Sequence, residues 1–174
     1  MGAIHRSMGF SLRLAVTVVA LAGASLVGCN DDTDDNDNDN DNNNNVSGQA
    51  VEVTEQEFMI MLNRASVSPG TVTFQVTNAG TEKHEFLVIR TDFAPDALPT
   101  EANGSYMENG PGTEIIKTIE DIEPGQTENL TVDLAAGAYV LICNRVETES
   151  NGEVVSHYAH GMRTGFQVVG TPTQ

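Results

Sequence analysis

Between Cys143 and Met162 the chain carries a thiol, the imidazoles of His157 and His160, and a thioether. A thiolate, two imidazoles and a weak thioether are the donors that hold copper in a His₂Cys set with a long axial Met. One imidazole must come from elsewhere, and His84 is the other histidine between residues 46 and 174. His157 is preferred to His160 as the second nitrogen donor. Four residues lie between His157 and Met162, whereas His160 is two positions from Met162, too near for both to reach one ion comfortably. His160 is therefore read as a surface histidine beside the site. Met59, Met61 and Met107 are read as core or loop fillers.

These donors need a scaffold that brings distant residues to one place. Aromatics and Leu are sparse, Val, Thr and Gly are common, and turn signals recur at short intervals, which predicts an all-β sandwich. Strands are predicted at 50–54, 58–62, 71–77, 84–90, 115–119, 128–134, 138–143 and 165–169. Val72, Phe74 and Val76 alternate toward a core, as do Leu130, Val132 and Leu134. His84 starts one strand and Cys143 ends another. Residues 91–113 hold Pro95, Pro99, Gly104, Gly110, Pro111 and Gly112 and read as a long loop or excursion. Arg145 to Ser156 contain Asn151-Gly152 between β-tolerant flanks, which reads as a type I′ hairpin.

The first 45 residues are of another kind. Arg6 and Arg13 precede the apolar core Leu14 to Gly23, and the segment ends Leu26-Val27-Gly28-Cys29. Residues 1–28 are expected to be an export signal, too short in its apolar core to be a stable span. The ending resembles a bacterial lipobox, which implies a diacylglycerol on Cys29; acyl chains anchor at about 0.8 kcal/mol per buried CH₂. Residues 30–45 are Asp and Asn with a single Thr, so they bury nothing and are expected to be a disordered tether reaching about 20 Å. An EF-hand calcium loop is excluded there, because the Gly and the Glu that it requires are missing.

Residues 46–174 are enough for one domain with a core of ordinary size. Seven of the 25 acidic residues lie in the tether, which leaves 18 against six Lys and Arg, a net of −12. Nucleic acid is excluded as a natural ligand, since phosphate contacts need cations. Basic partners are favoured. With Cys29 lipidated, Cys143 has no partner thiol in the chain, which is unusual in an exported domain.

Three phrases together resemble the cupredoxins, over nearly all of residues 46–174: Val72-Thr-Phe-Gln-Val-Thr-Asn78 with His84 following, Ala136-Gly-Ala-Tyr139-Val-Leu-Ile-Cys143-Asn144, and His157-Tyr158-Ala-His-Gly161-Met162. The last two are similar to those of small sulfocyanin-like members. The resemblance implies a Greek-key β-sandwich, one type 1 (blue) copper held by His84, Cys143, His157 and Met162, and outer-sphere electron transfer through the exposed edge of His157. It implies no substrate chemistry. A second copper centre would need further histidines, and dinuclear CuA a second site cysteine. Two departures stand out. Thirteen residues separate Cys143 from His157, more than the family pattern has, and Glu85 stands where many members have an Asn. The implied setting is a bacterial lipoprotein facing the periplasm or cell exterior, with redox protein partners such as basic cytochromes or a terminal oxidase. The alternatives are copper sequestration or delivery on the same ligands, and a metal-free structural or adhesion sandwich.

Overall fold

Alternation of apolar and polar residues puts every second side chain of a strand on one face. Val72, Phe74 and Val76 are buried accordingly, with Gln75 exposed between them. The computed structural model describes residues 48–170. The export signal (1–28), Cys29 and the tether (29–45) lie outside the described residues. In chain order the strands are β1 Gln49–Gln56, β2 Met59–Leu62, β3 Ser66–Val67, β4 Gly70–Asn78, β5 His84–Arg90, β6 Glu114–Ile122, β7 Thr127–Leu134, β8 Gly137–Ile142, β9 Val146–Thr148, β10 Val154–Ser156 and β11 Arg163–Val168. One short helix, α1 His157–His160, precedes β11.

As the composition predicts, the fold is all-β and built of two packed sheets. One sheet has the order β2-β1-β4-β7, the other β3-β11-β8-β5-β6, and β9 and β10 form a separate two-stranded ribbon. β1 runs parallel to β4 and β3 parallel to β11; the remaining pairs are antiparallel. The eight predicted strands are all present, most with slightly different ends. The two-residue β3 and the helical turn α1 carry too little pattern to be read from sequence.

The core between the sheets centres on Phe74, whose ring lies 5.4 Å from that of Phe86 and 5.3 Å from that of Phe166. β5 is buried on both faces, which explains why Phe86-Leu-Val-Ile89 is a continuous apolar run. Phe86 and Val88 point into the main core, while Leu87 and Ile89 belong to a second cluster with Leu98, Tyr106, Val140, Ile142 and Tyr158. Leu98 and Tyr106 come from the 91–113 excursion. It is thus a packed cover over the outer face of the second sheet. The Tyr158 hydroxyl accepts from Leu98 N–H at 3.2 Å and donates to the Pro95 carbonyl at 2.9 Å.

Truncating the ring at the centre of this core removes contacts with both sheets. Phe74→Ala is expected to lower unfolding free energy by about 3–5 kcal/mol, measured by urea denaturation of the metal-free protein.

Candidate metal centre

Each donor is placed by the end of a strand. His84 is the first residue of β5, and Cys143 follows the last residue of β8. The β8–β11 ladder pairs Ile142 with Arg163 and runs one rung further, where Cys143 N–H donates to the Met162 carbonyl at 3.1 Å. Between these two residues the chain makes a closed excursion. β9 and β10 pair Val146 with Ser156, and His157 N–H donates to the Arg145 carbonyl at 2.9 Å, so the inserted ribbon ends beside its own start. The hairpin is present, but its turn is not type I′. Glu149 N–H donates to the Glu153 carbonyl and Gly152 N–H to that of Glu149, with Gly152 at φ 85° while Asn151 keeps a negative φ. That is the longer hairpin connection with its left-handed residue at glycine.

After the ribbon, the Ser156 hydroxyl accepts from Ala159 N–H at 3.2 Å and caps α1. Gly161, at φ 125°, ends the helix, and a Cβ there would lie 2.9 Å from the Phe58 carbonyl. Met162 N–H then returns to the His157 carbonyl at 3.0 Å. Asn144 braces the other flank, bonding Tyr106 through both its side-chain oxygen (2.6 Å) and its nitrogen (3.0 Å).

The result is a tight group. His84 Nδ1 lies 3.3 Å from His157 Nδ1, and Cys143 Sγ lies 3.4 Å from His157 Nδ1 and 4.0 Å from His84 Nδ1. All three residues, and Met162, are fully buried. Nitrogens about 2.0–2.1 Å and a sulfur about 2.3 Å from a common ion in a trigonal arrangement lie about 3.5–3.8 Å apart, close to this spacing. The donor set and its spacing fit one copper ion of the type 1 kind. His160 stands apart: it is exposed, its Nδ1 lies 2.9 Å from the Ser156 carbonyl, and its ring sits 4.9 Å from that of Phe58.

Burial shapes the electrostatics. It pushes the Cys143 thiol up, an effect added to by Glu55 and opposed by the backbone N–H groups of Glu85 and Arg145. The Glu85 N–H lies 3.4 Å from Sγ. Burial lowers His84, and it lowers His157 to about 4 with help from the neighbouring His84. Both imidazoles are thus neutral at pH 7, the form that binds metal. Burial also raises Glu85 to about 7.

The surroundings hold residues that the motifs did not reveal. His84 Nε2 lies 3.4 Å from Glu57 Oε1, and His157 Nε2 lies 3.3 Å from Glu82 Oε2. Both separations are in ion-pair range, although neither forms a full hydrogen bond. The His157 edge is consequently not the exposed port that the resemblance implies. Phe58 packs edge-on against its ring at 5.3 Å, and His157 is fully buried. Asn78, also buried, donates to the carbonyls of Glu82 (2.7 Å) and Ile122 (2.8 Å) and accepts from Gly80 N–H, fixing the turn that leads into His84. Glu55 is fully buried with neither carboxyl oxygen bonded, and burial, then Glu85, pushes its carboxyl well up. Its position was legible, since it continues the inward series Val51, Val53. The pairing of Glu57 and Glu82 with the imidazoles joins separate turns and leaves no local signal.

No family model and no curated protein matches the sequence. Among solved structures the chain is similar to Na-dithionite reduced auracyanin from the photosynthetic bacterium Roseiflexus castenholzii, at 19% identity over 70% of this chain and 98% of that chain, with a TM-score of 0.49. It is also similar to auracyanin A, a "blue" copper protein from the green thermophilic photosynthetic bacterium Chloroflexus aurantiacus (18% identity, 69% and 98%, TM-score 0.46). A third is reduced rusticyanin (19% identity, 71% and 79%, TM-score 0.45).

The raised Glu85 carboxyl makes a testable contribution to stability. With a folded value near 7 against an ordinary value of 4.5, its stabilising share is full below pH 4.5 and lost as pH rises through 7. Glu85→Gln is therefore expected to make the metal-free protein more stable than wild type at pH 8, by about 1–3 kcal/mol, with the gain vanishing near pH 4.5. Urea unfolding at the two pH values checks this.

Proposed function

We propose that this protein is a type 1 copper protein of the cupredoxin kind that carries single electrons outside the cytoplasm. The observation that carries this reading is the convergence of His84 Nδ1, His157 Nδ1 and Cys143 Sγ within 4.0 Å of one another at one end of a two-sheet sandwich. Met162 is the fourth ligand, held beside Cys143 by their shared backbone bond. When bound, copper supplies a centre that exchanges one electron between Cu(I) and Cu(II).

The chain's own part is to keep the donors from moving. Two are at strand ends, and the other two are fastened to that same strand edge through the rung at Cys143 and the helical turn. Burial excludes water, and the Glu85 N–H supports the thiolate. No bound substrate is needed. Full burial of the donors also opposes rapid metal exchange, which favours electron carriage over copper delivery.

The setting follows from the sequence. A lipid on Cys29 and the acidic tether would hold the domain at a bacterial membrane, facing the periplasm or cell exterior. Glu57, Glu82, Glu147 and Glu149 act on one another's charge near His157, which suits a redox partner with a basic docking face, such as a basic cytochrome or a terminal oxidase.

Titration of the full chain with Cu(II) tests the assignment. One equivalent is expected to give an intense thiolate-to-copper absorption band and a type 1 EPR signal, both bleached by reductant and restored on oxidation. Cys143→Ala and His157→Ala are expected to abolish the band, and His160→Ala to retain it. A weak spectrum of nitrogen and oxygen ligation in the wild type would overturn the proposal.

A further inference from the structure

Metal binding through Nδ1 leaves each ligand imidazole with its proton on Nε2, so two fully buried N–H groups then need acceptors. Neither Nε2 makes a well-formed hydrogen bond to any group, backbone or side chain, among the described residues. The groups that face them are carboxylates: Glu57 Oε1 at 3.4 Å from His84 Nε2 and Glu82 Oε2 at 3.3 Å from His157 Nε2. We infer that Glu57 and Glu82 are positioning residues, each taking the Nε2–H of one ligand histidine, and that together they favour the Cu(II) state of the centre. This inference rests on the copper reading above.

The Glu57 carboxylate is built in, and the two carboxylates reach across the site. Glu57 lies in the turn between β1 and β2, and its Oε1 also accepts from Thr81 N–H and Glu82 N–H, both at 2.8 Å. Gly80 lies against its carboxyl group, and any side chain there would collide with it. Glu82 lies in the turn that leads into His84, yet it serves the other histidine. Phe58, next to Glu57, packs on the His157 ring as well. Each imidazole is thereby fixed by a turn other than the one it stands on.

A second cation seat is the competing use of this corner, because Glu82, Glu147 and His157 offer donor atoms within 4.8 Å of one another. Glu147 is already engaged: Arg145 Nε donates to its Oε1 at 2.9 Å, and the guanidinium also bonds Asp121 at 3.0 Å. That fixed cation opposes a second metal ion and leaves Glu82 to the imidazole.

A carboxylate at Nε2 makes the imidazole a more basic ligand and adds negative charge near the metal. Both effects stabilise the dication more than the monocation. The test uses the full chain loaded with copper, comparing wild type, Glu57→Gln, Glu82→Gln and, as a control, Glu147→Gln. Glutamine keeps the side-chain shape and an acceptor for the Thr81 and Glu82 N–H groups. Cu(II) and Cu(I) affinities are measured by ligand competition, the midpoint potential by redox titration, and the imidazole Nε2–H signals by ¹⁵N NMR of the Cu(I) form.

Each Gln variant is expected to keep the intense band and to lose about tenfold in Cu(II) affinity with a smaller loss for Cu(I). The potential is therefore expected to rise, by at most about 59 mV, which is the shift for a tenfold loss confined to Cu(II) in a one-electron couple. The Nε2–H resonance of the matching histidine is expected to move upfield, while Glu147→Gln moves neither resonance and shifts the potential less than either of the other variants. Parallel losses of Cu(II) and Cu(I) affinity with an unmoved potential, or an equal effect of Glu147→Gln, overturn this inference and leave the copper reading standing. An absent band in the wild type overturns both.

Discussion

The backbone bond from Cys143 N–H to the Met162 carbonyl is the rung on which the rest of the centre depends. It prolongs the β8–β11 ladder beyond its last paired residues and so sets Cys143 and Met162 directly across from one another. Everything between them, from Asn144 to Gly161, is a loop whose ends are closed by that ladder. Loop-closure entropy grows only slowly with length, so the inserted ribbon costs little provided that it returns to its origin. The pairing of Val146 with Ser156 and the bond from His157 to Arg145 ensure that it does. His157 therefore arrives beside Cys143 despite the long separation in sequence.

The same placement sets the electrostatics. A thiol and two imidazoles withdrawn from water are held neutral, the thiol by a raised and the imidazoles by lowered proton affinity. A metal ion reverses this for sulfur, because its charge replaces the proton. Neutral imidazoles already suit it. Burial thus favours the uncharged forms of these donors, and the sandwich holds them close together. Rigidity comes from two sources: the Phe74-centred core beneath, and the cover of residues 91–113, which Asn144 fastens beside the thiol.

Acidic residues are distributed with some purpose around this end. Glu57 and Glu82 face the imidazole edges, and Arg145 ties Glu147 of the flanking ribbon to Asp121 of β6. The edge of His157 is closed off by Phe58 and Glu82, so in the proposed role an electron leaving that side would pass the aromatic ring or the acidic rim rather than a bare imidazole. Charge complementarity at such a rim governs encounter rates more than final affinity.

The strands, the all-β class and the cluster of His84, Cys143 and His157 were legible in the sequence. Period-two alternation and turn residues are local properties, and the chemistry of soft donors is a property of residue type. The choice of His157 over His160 also followed from spacing, because His160 stands only two positions from Met162, too near for both to reach one ion comfortably. Other features were decided by tertiary structure alone. The 91–113 excursion is a packed cover because the outer face of β5 and β8 is apolar, and nothing within the excursion announces that face. The burial of the His157 edge arises where Phe58, from the β1–β2 turn, meets the C-terminal loop. The pairing of Glu57 with His84 and of Glu82 with His157 joins turns that are distant in sequence. Chain composition determined which donors exist; only the packing of separate turns determined what surrounds them, because contacts between distant segments have no signature in the residues of either one.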